Sequence, residues 1–181
     1  MIRVATLDDF DPGDVAFLVK QLYRAFGAGT EFAGQRSMPR DATKRDGRVD
    51  AVALLADVER VRTFADDKVL YLTTAPLALA PGPLGEPPCW GFALYGGDRA
   101  VVSTSRFPAR GVTEASVEAW RRRLARESTH AVGHLWGLHH CYDAKCAMHP
   151  SWSPNLPANP EMDLCTFCRE KSERVVRLAK T

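Results

Sequence analysis

The sequence predicts an α/β domain on a mixed, twisted sheet, with a small irregular C-terminal part that regular structure alone would not hold together. Three observations predict it. Strand-like and helix-like segments alternate along residues 1–137, the order that layers helices on a sheet. Pro150, Pro154, Pro157 and Pro160 break up the segment that follows. Histidine and cysteine are also segregated: all five histidines lie between His130 and His149, and four of the five cysteines between Cys141 and Cys168. A length of 181 residues suits one domain over 1–181, with the sheet and a long helix in 1–137 and a cysteine-bearing part in 138–181.

The elements follow in order. Residues 2–7 (IRVATL) read as a first strand. Asp11-Pro12 opens a helix, since Asp caps and Pro suits the first turn. Val15, Leu18, Val19, Leu22 and Phe26 give that helix an apolar stripe, and Gly27 ends it. Residues 34–46 (GQRSMPRDATKRD) read as a solvated loop. A second helix is expected over 49–63, with Val52, Leu55, Val58 and Val61 facing inward. Residues 68–74 form a strand, and 80–88 (APGPLGEPP) a loop. Residues 89–95 and 99–104 pair as a hairpin across Gly96-Gly97-Asp98. Thr113 begins a long helix with Val117, Trp120, Leu124, Ala131, Leu135 and Leu138 at helical spacing. Arg121, Arg122, Arg123 and Arg126 read as its solvated face. A last helix is expected over 169–179.

Composition bounds the partners. A net charge of +2 makes no case for nucleic acid or an anionic membrane. No window approaches the roughly 18 consecutive apolar residues of a spanning helix. The first residues, MIRVATLDDFD, do not read as a secretory signal. A cytoplasmic, monomeric protein is expected, and in a reducing compartment clustered cysteines point to metal rather than disulfides.

The chemistry lies in HAVGHLWGLHHC, residues 130–141. His130 and His134 are four apart on the predicted helix, so both rings leave one face a turn apart, as two nitrogen ligands of one zinc would. Gly137 can end the helix in a left-handed turn and let the chain bring a third ligand back. His140 is the choice and His139 the competitor. A three-histidine zinc keeps a fourth position for water. Hydrolysis of a peptide also needs a proton acceptor, normally a glutamate directly after the first histidine. Here that residue is Ala131. Loss of general acid–base help typically costs about 10²–10⁴ in rate. Glu127 is the nearest acid in sequence, but helical side chains tilt toward the N-terminus, so it is expected to lean away from the metal. Nothing in the sequence argues for Glu161 or Asp163.

Cys141, Cys146, Cys165 and Cys168 form C-x4-C and C-x2-C, a set that suits a closed, structural tetrahedral zinc. Cys89 is left over and reads as a small buried residue.

The stretch from His130 to Cys168 resembles the archaemetzincin family of zinc metallopeptidases. It carries His130, His134, Gly137 and His140, then Cys141, Cys146, Met148, Cys165 and Cys168 at the family's spacing. The resemblance implies a metzincin-like fold, with a mixed sheet, a backing helix and an active-site helix above a cleft. It implies two zinc ions, a catalytic-type one on the three histidines and a structural one on the four cysteines. It makes Met148 the Met-turn residue beneath the histidines. It places the family's general base at Ala131, where this chain departs. The reading is a peptidase scaffold, inactive or severely impaired as given, whose glutamate was removed by substitution. The alternatives are a natural pseudo-peptidase that binds peptides without cutting, and a zinc-ribbon-like nucleic-acid-binding module. The expected substrate is an extended peptide paired to an edge strand, with the 89–104 hairpin as the candidate.

Overall fold

Strand β1 (Ile2–Thr6) pairs in parallel with β2 (Thr30–Gln35) on one side and β4 (Lys68–Thr73) on the other. In this computed structural model, which describes residues 1–58, 67–79, 89–151 and 161–178, β4 continues in parallel to β7 (Arg99–Ser103). Strand β7 then pairs antiparallel with β6 (Gly91–Ala93). The sheet order is β2-β1-β4-β7-β6, a mostly parallel twisted sheet with one antiparallel edge. A separate parallel pair joins β3 (Val49–Asp50) to β5 (Leu77–Ala78).

Side chains alternate across the central strands, and each face has its own apolar layer. Leu70 and Leu72 of β4, with Ala100 and Val102 of β7, pack into the layer that holds Leu124, Val132 and Leu135. Val69, Tyr71 and Val101 face the opposite layer, with Leu54 and Leu55. Helices α1 (Pro12–Phe26), α3 (Glu114–Leu135) and α4 (Thr166–Leu178) contribute to the first layer, and α2 (Ala51–Asp57) to the second. Helix α1 starts where Asp11 accepts from the N–H groups of Gly13 and Asp14, and stops at Gly27, whose φ of 59° is left-handed. Buried Asp14 ties α1 to α3: it accepts from Arg121 Nε at 2.6 Å and from Arg110 Nε at 2.6 Å. Burial alone would raise its pKa, but the two guanidiniums bring the carboxyl below the usual range.

Several expectations are corrected. Residues 34–46 are not all loop, because the missed strand β2 runs to Gln35 and a single 3-10 turn spans Arg40–Ala42. Strand β2 is an edge strand with no fully buried residue, so it has no apolar alternation to read. The second helix begins two residues later than expected, at Ala51, capped by Asp50. Val52 is 52% exposed, because Ala51, Leu54, Leu55 and Val58 set the buried face. Val61 and the 80–88 loop lie outside the described residues. The arginine run is not all solvated: Arg126 is 0% exposed, held in a polar cluster described below. The last helix starts at Thr166, three residues early. Among the described residues no helix is long and apolar enough to cross a membrane.

Candidate metal centre

Helix α3 carries His130 and His134 in its last turns and ends in a Schellman motif. The Leu138 N–H bonds to the Gly133 carbonyl at 2.9 Å, the Gly137 N–H to the His134 carbonyl at 3.0 Å, and Gly137 has φ 72°. The reversal brings His140 back beside the helix, with ring centroids 5.2 Å from His130 and 5.0 Å from His134. One ring nitrogen from each of the three histidines lies within 4.8 Å of the others. His139 points elsewhere: it is exposed, stacks on Tyr95 at 4.8 Å and meets the Tyr95 hydroxyl at 2.6 Å. Tyr95 Oη also donates to the Gly137 carbonyl at 2.8 Å, and the Gly96 N–H to that of His134 at 2.9 Å. These bonds latch the β6–β7 turn to the end of α3.

The imidazoles are prepared for a cation. His130 Nδ1 sits 2.9 Å from the Ala147 carbonyl and His134 Nδ1 2.8 Å from that of Leu138. Carbonyls only accept, so each Nδ1 carries the proton and each Nε2 presents a lone pair. The two Nε2 atoms are 3.0 Å apart. Two lone pairs at that distance repel unless a cation lies between them, and the neutral histidine triad is a donor set for zinc. Burial, then the neighbouring His134, pushes His130 down from 6.5 to about 3. Burial also lowers His134 and His140, so all three favour the metal-binding neutral form.

The residues of this site pack around Gly133 and Met148. Met148 is fully buried. A Cβ placed on Gly133, between the two helical histidines, would lie 2.3 Å from Met148 Sδ. The glycine therefore admits the methionine beneath the histidine-bearing turn. Sequence reading passed over Gly133, although a glycine inside a helical pattern is itself a signal of close approach.

The second cluster forms as Cys146 and Cys141 approach Cys165 and Cys168 at the start of α4. All four sulfurs lie within 4.8 Å of one another, and no cysteine is in a disulfide. Burial pushes Cys146 up to about 11 and Cys168 higher still. Burial alone would also raise Cys165, but hydrogen bonds from the Cys168 backbone and the neighbouring thiols bring it below its usual value. Four sulfurs in that space cannot all be thiolates without a cation, so the donor set fits zinc, which binds thiolate. The clusters share backbone: the Cys141 N–H bonds to the Met148 carbonyl, and His149 Nδ1 lies 3.0 Å from the Cys141 carbonyl. Cys89 is outside both and buried at 3% exposure.

A cavity of about 550 Å³ opens beside the three histidines. Its walls include Trp90, Phe92 and Ala93 at edge strand β6, and Ala131 on α3. Glu127, expected to lean away, lines this cavity one turn before Ala131. Its oxygens are engaged. Oε1 accepts from Arg126 Nη1 at 2.8 Å and lies 3.2 Å from Arg123 Nε, and Oε2 accepts from Ser151 Oγ at 2.5 Å. Glu161 pairs with Arg122, and Asp163 accepts from Gln21; neither lines the cavity.

The sequence model of Peptidase family M54 matches residues 40–176. An archaemetzincin from Methanopyrus kandleri is 36% identical over 138 residues, covering 76% of this chain and 71% of the relative. An archaemetzincin from Archaeoglobus fulgidus is 35% identical over 86 residues, 48% of each chain, so that match spans about half of the relative's length. The crystal structure of the Methanopyrus kandleri archaemetzincin superposes with a TM-score of 0.78 at 25% identity, covering 97% of this chain and 94% of that one.

Proposed function

This chain belongs to Peptidase family M54, the archaemetzincin family of zinc metallopeptidases, and on that premise we propose that it is a peptide-binding metallopeptidase scaffold with two zinc sites, disabled at Ala131. The observation that carries this reading is the convergence of His130, His134 and His140 in a cavity bounded by an open sheet edge.

Zinc held by the three histidines would supply Lewis acidity at an open fourth position. The protein's own groups orient that site. The carbonyls of Ala147 and Leu138 fix the ring tautomers, Met148 fills the space under them, and the four cysteines would hold a structural zinc that fastens α4 to the irregular segment. Among the described residues strand β6 has a partner on one side only, so an extended peptide can pair with its other edge and present a carbonyl to the histidines. The missing part is the proton acceptor. Ala131 lines the cavity where the family's glutamate belongs and offers a methyl group. Glu127 does not stand at that position: it lies a turn earlier on α3, where it is tied to Arg126 and Ser151. The chain as it stands therefore binds peptides and cuts them poorly or not at all.

The test is cleavage of a mixed peptide library, read by mass spectrometry, with the chain and its Ala131→Glu variant matched for zinc. Cleavage by the glutamate variant alone supports the reading, with a gain of about 10²–10⁴ in rate. No cleavage by either, with zinc on the histidines, would reject the peptidase scaffold.

A further inference from the structure

We propose that the cavity beside the histidines is a side-chain subsite selective for an aromatic ring with a hydrogen-bond donor at its tip, tyrosine above all, and that Glu127 determines this selectivity. The proposal deepens the peptide-binding reading above and rests on it.

The walls are shaped for a ring. Trp90, Phe92, Leu79 and Ala131 supply apolar surface to a single cavity. Trp90 is held in place from two sides, by the Arg123 guanidinium 4.6 Å from its ring and by Phe107 at a centroid distance of 6.1 Å. Phe107 in turn packs edge-on against Trp120 at 5.9 Å. A rigid aromatic wall favours a planar occupant.

The polar end of the cavity then chooses among planar occupants. Apart from the histidines, Glu127 and Ser151 are the strongly polar side chains of the lining. A carboxylate has about four acceptor positions. Arg126 Nη1 and Ser151 Oγ occupy two of them, and Arg123 Nε lies 3.2 Å from Oε1 without a hydrogen bond. Acceptor capacity therefore remains for a donor arriving through the cavity. An acidic tip offers only acceptors and meets the carboxylate oxygens directly, so it is repelled. A cationic tip gains little, because two guanidiniums already match the single carboxylate and the newcomer would lose its own water. A neutral hydroxyl donates into the open position without either penalty. Phenylalanine fits the walls but leaves that acceptor unmet. One hydrogen bond to a charged group is worth about a tenfold preference for tyrosine over phenylalanine.

Glu127 is thereby a specificity residue that touches the bound side chain, while Arg126 positions it. Arg126 is fully buried and reaches three partners: Glu127, the Ser151 hydroxyl at 2.9 Å and the His149 carbonyl at 2.5 Å. The carboxylate therefore has little freedom to turn away from a ligand.

The experiment incubates the zinc-loaded chain with a positional library of N-acetylated hexapeptides, recovers bound peptides by ultrafiltration and quantifies them by mass spectrometry. The expected result is enrichment of tyrosine at one position, about tenfold over phenylalanine, with acidic and basic residues depleted there. O-methyltyrosine, which keeps the ring and oxygen but loses the donor, should bind no better than phenylalanine. Glu127→Gln should lower the tyrosine preference several-fold. Because that variant weakens the tie to Arg126 and can destabilise the fold, Ser151→Ala is read beside it. Ser151→Ala frees Oε2 and should preserve or raise the preference. Equal binding of tyrosine and O-methyltyrosine, a Ser151→Ala variant without tyrosine preference, or no enrichment at any position would overturn the proposal. Cleavage by Ala131→Glu without tyrosine selectivity would reject this subsite alone. Tyrosine-selective binding by the chain, with no cleavage by its zinc-loaded Ala131→Glu variant, would reject the peptidase reading alone.

Discussion

Replacing Gly133 by alanine tests the packing that holds the histidines in place. In an open helix interior this change stabilises by about 1 kcal/mol, because alanine loses less backbone entropy than glycine. The new methyl here would sit 2.3 Å from Met148 Sδ, 3.1 Å from its Cε and 3.4 Å from Leu138 Cδ1. Contact between such atoms is comfortable at about 3.5–4.0 Å, so the methionine must retreat by more than an ångström. Met148 is 0% exposed and belongs to the packed core, so it can retreat only by displacing its neighbours. Overpacking of this kind costs about 1–3 kcal/mol. The propensity gain offsets part of that, leaving a net loss of up to about 2 kcal/mol. The assay is urea unfolding at fixed zinc concentration, because bound metal adds its own stabilisation. The cycle is closed with Met148→Ala and the double variant. Met148→Ala alone should cost about 2–5 kcal/mol. The double variant should be less unstable than the sum of the two single changes, by about 1–3 kcal/mol. Zinc affinity at the histidines should fall in Gly133→Ala, since the methyl enters between the turns that carry two of the ligands. A Gly133→Ala protein more stable by about 1 kcal/mol, with additive behaviour toward Met148, would refute the reasoning.

Metal analysis should give two zinc ions per chain, one with three nitrogen neighbours and one with four sulfurs by absorption-edge spectroscopy; Cys168→Ser should remove the second and loosen α4, measured by hydrogen exchange. In the metal-free protein the depressed His130 acts through linkage. The unfolded chain takes up its proton near 6.5 and the folded chain only near 3, so stability from this group is complete above about 6.5 and is lost as pH falls from there toward about 3. Thermal melts of apoprotein across that window should decline, and a flat profile would contradict the assignment. Arg126→Ala should destabilise by about 3 kcal/mol or more in chemical unfolding, because it strips a buried partner from Glu127. Ala93→Pro in β6 should abolish peptide binding in a titration while leaving zinc content unchanged, since the antiparallel register turns the Ala93 N–H away from β7 and proline removes that donor.

The one-dimensional pattern carried what depends on local periodicity. Helices α1 and α3 were legible because their apolar residues recur at helical spacing between an Asp or Thr cap and a terminal glycine. Strands β1, β4 and β7 were legible because they are buried and apolar. The three histidines and four cysteines could be read from spacing, since a helix turn and a tight reversal fix where such side chains go. Strand β2 was not legible, because an exposed edge strand draws its order from the backbone of β1 and leaves no hydrophobic period. The phase of α2 was ambiguous because nearly every residue from Val49 to Val58 is apolar, and only the sheet above it decides that Leu54 goes inward and Val52 outward. Arg126 read as part of a solvated face and Glu127 as leaning away from the metal, until His149 and Ser151 returned to contact them. Tertiary structure alone determined that their pairing forms the polar end of the cavity and that Gly133 is the space into which Met148 packs. Contacts between residues far apart in sequence have no period, so only the folded chain reveals them.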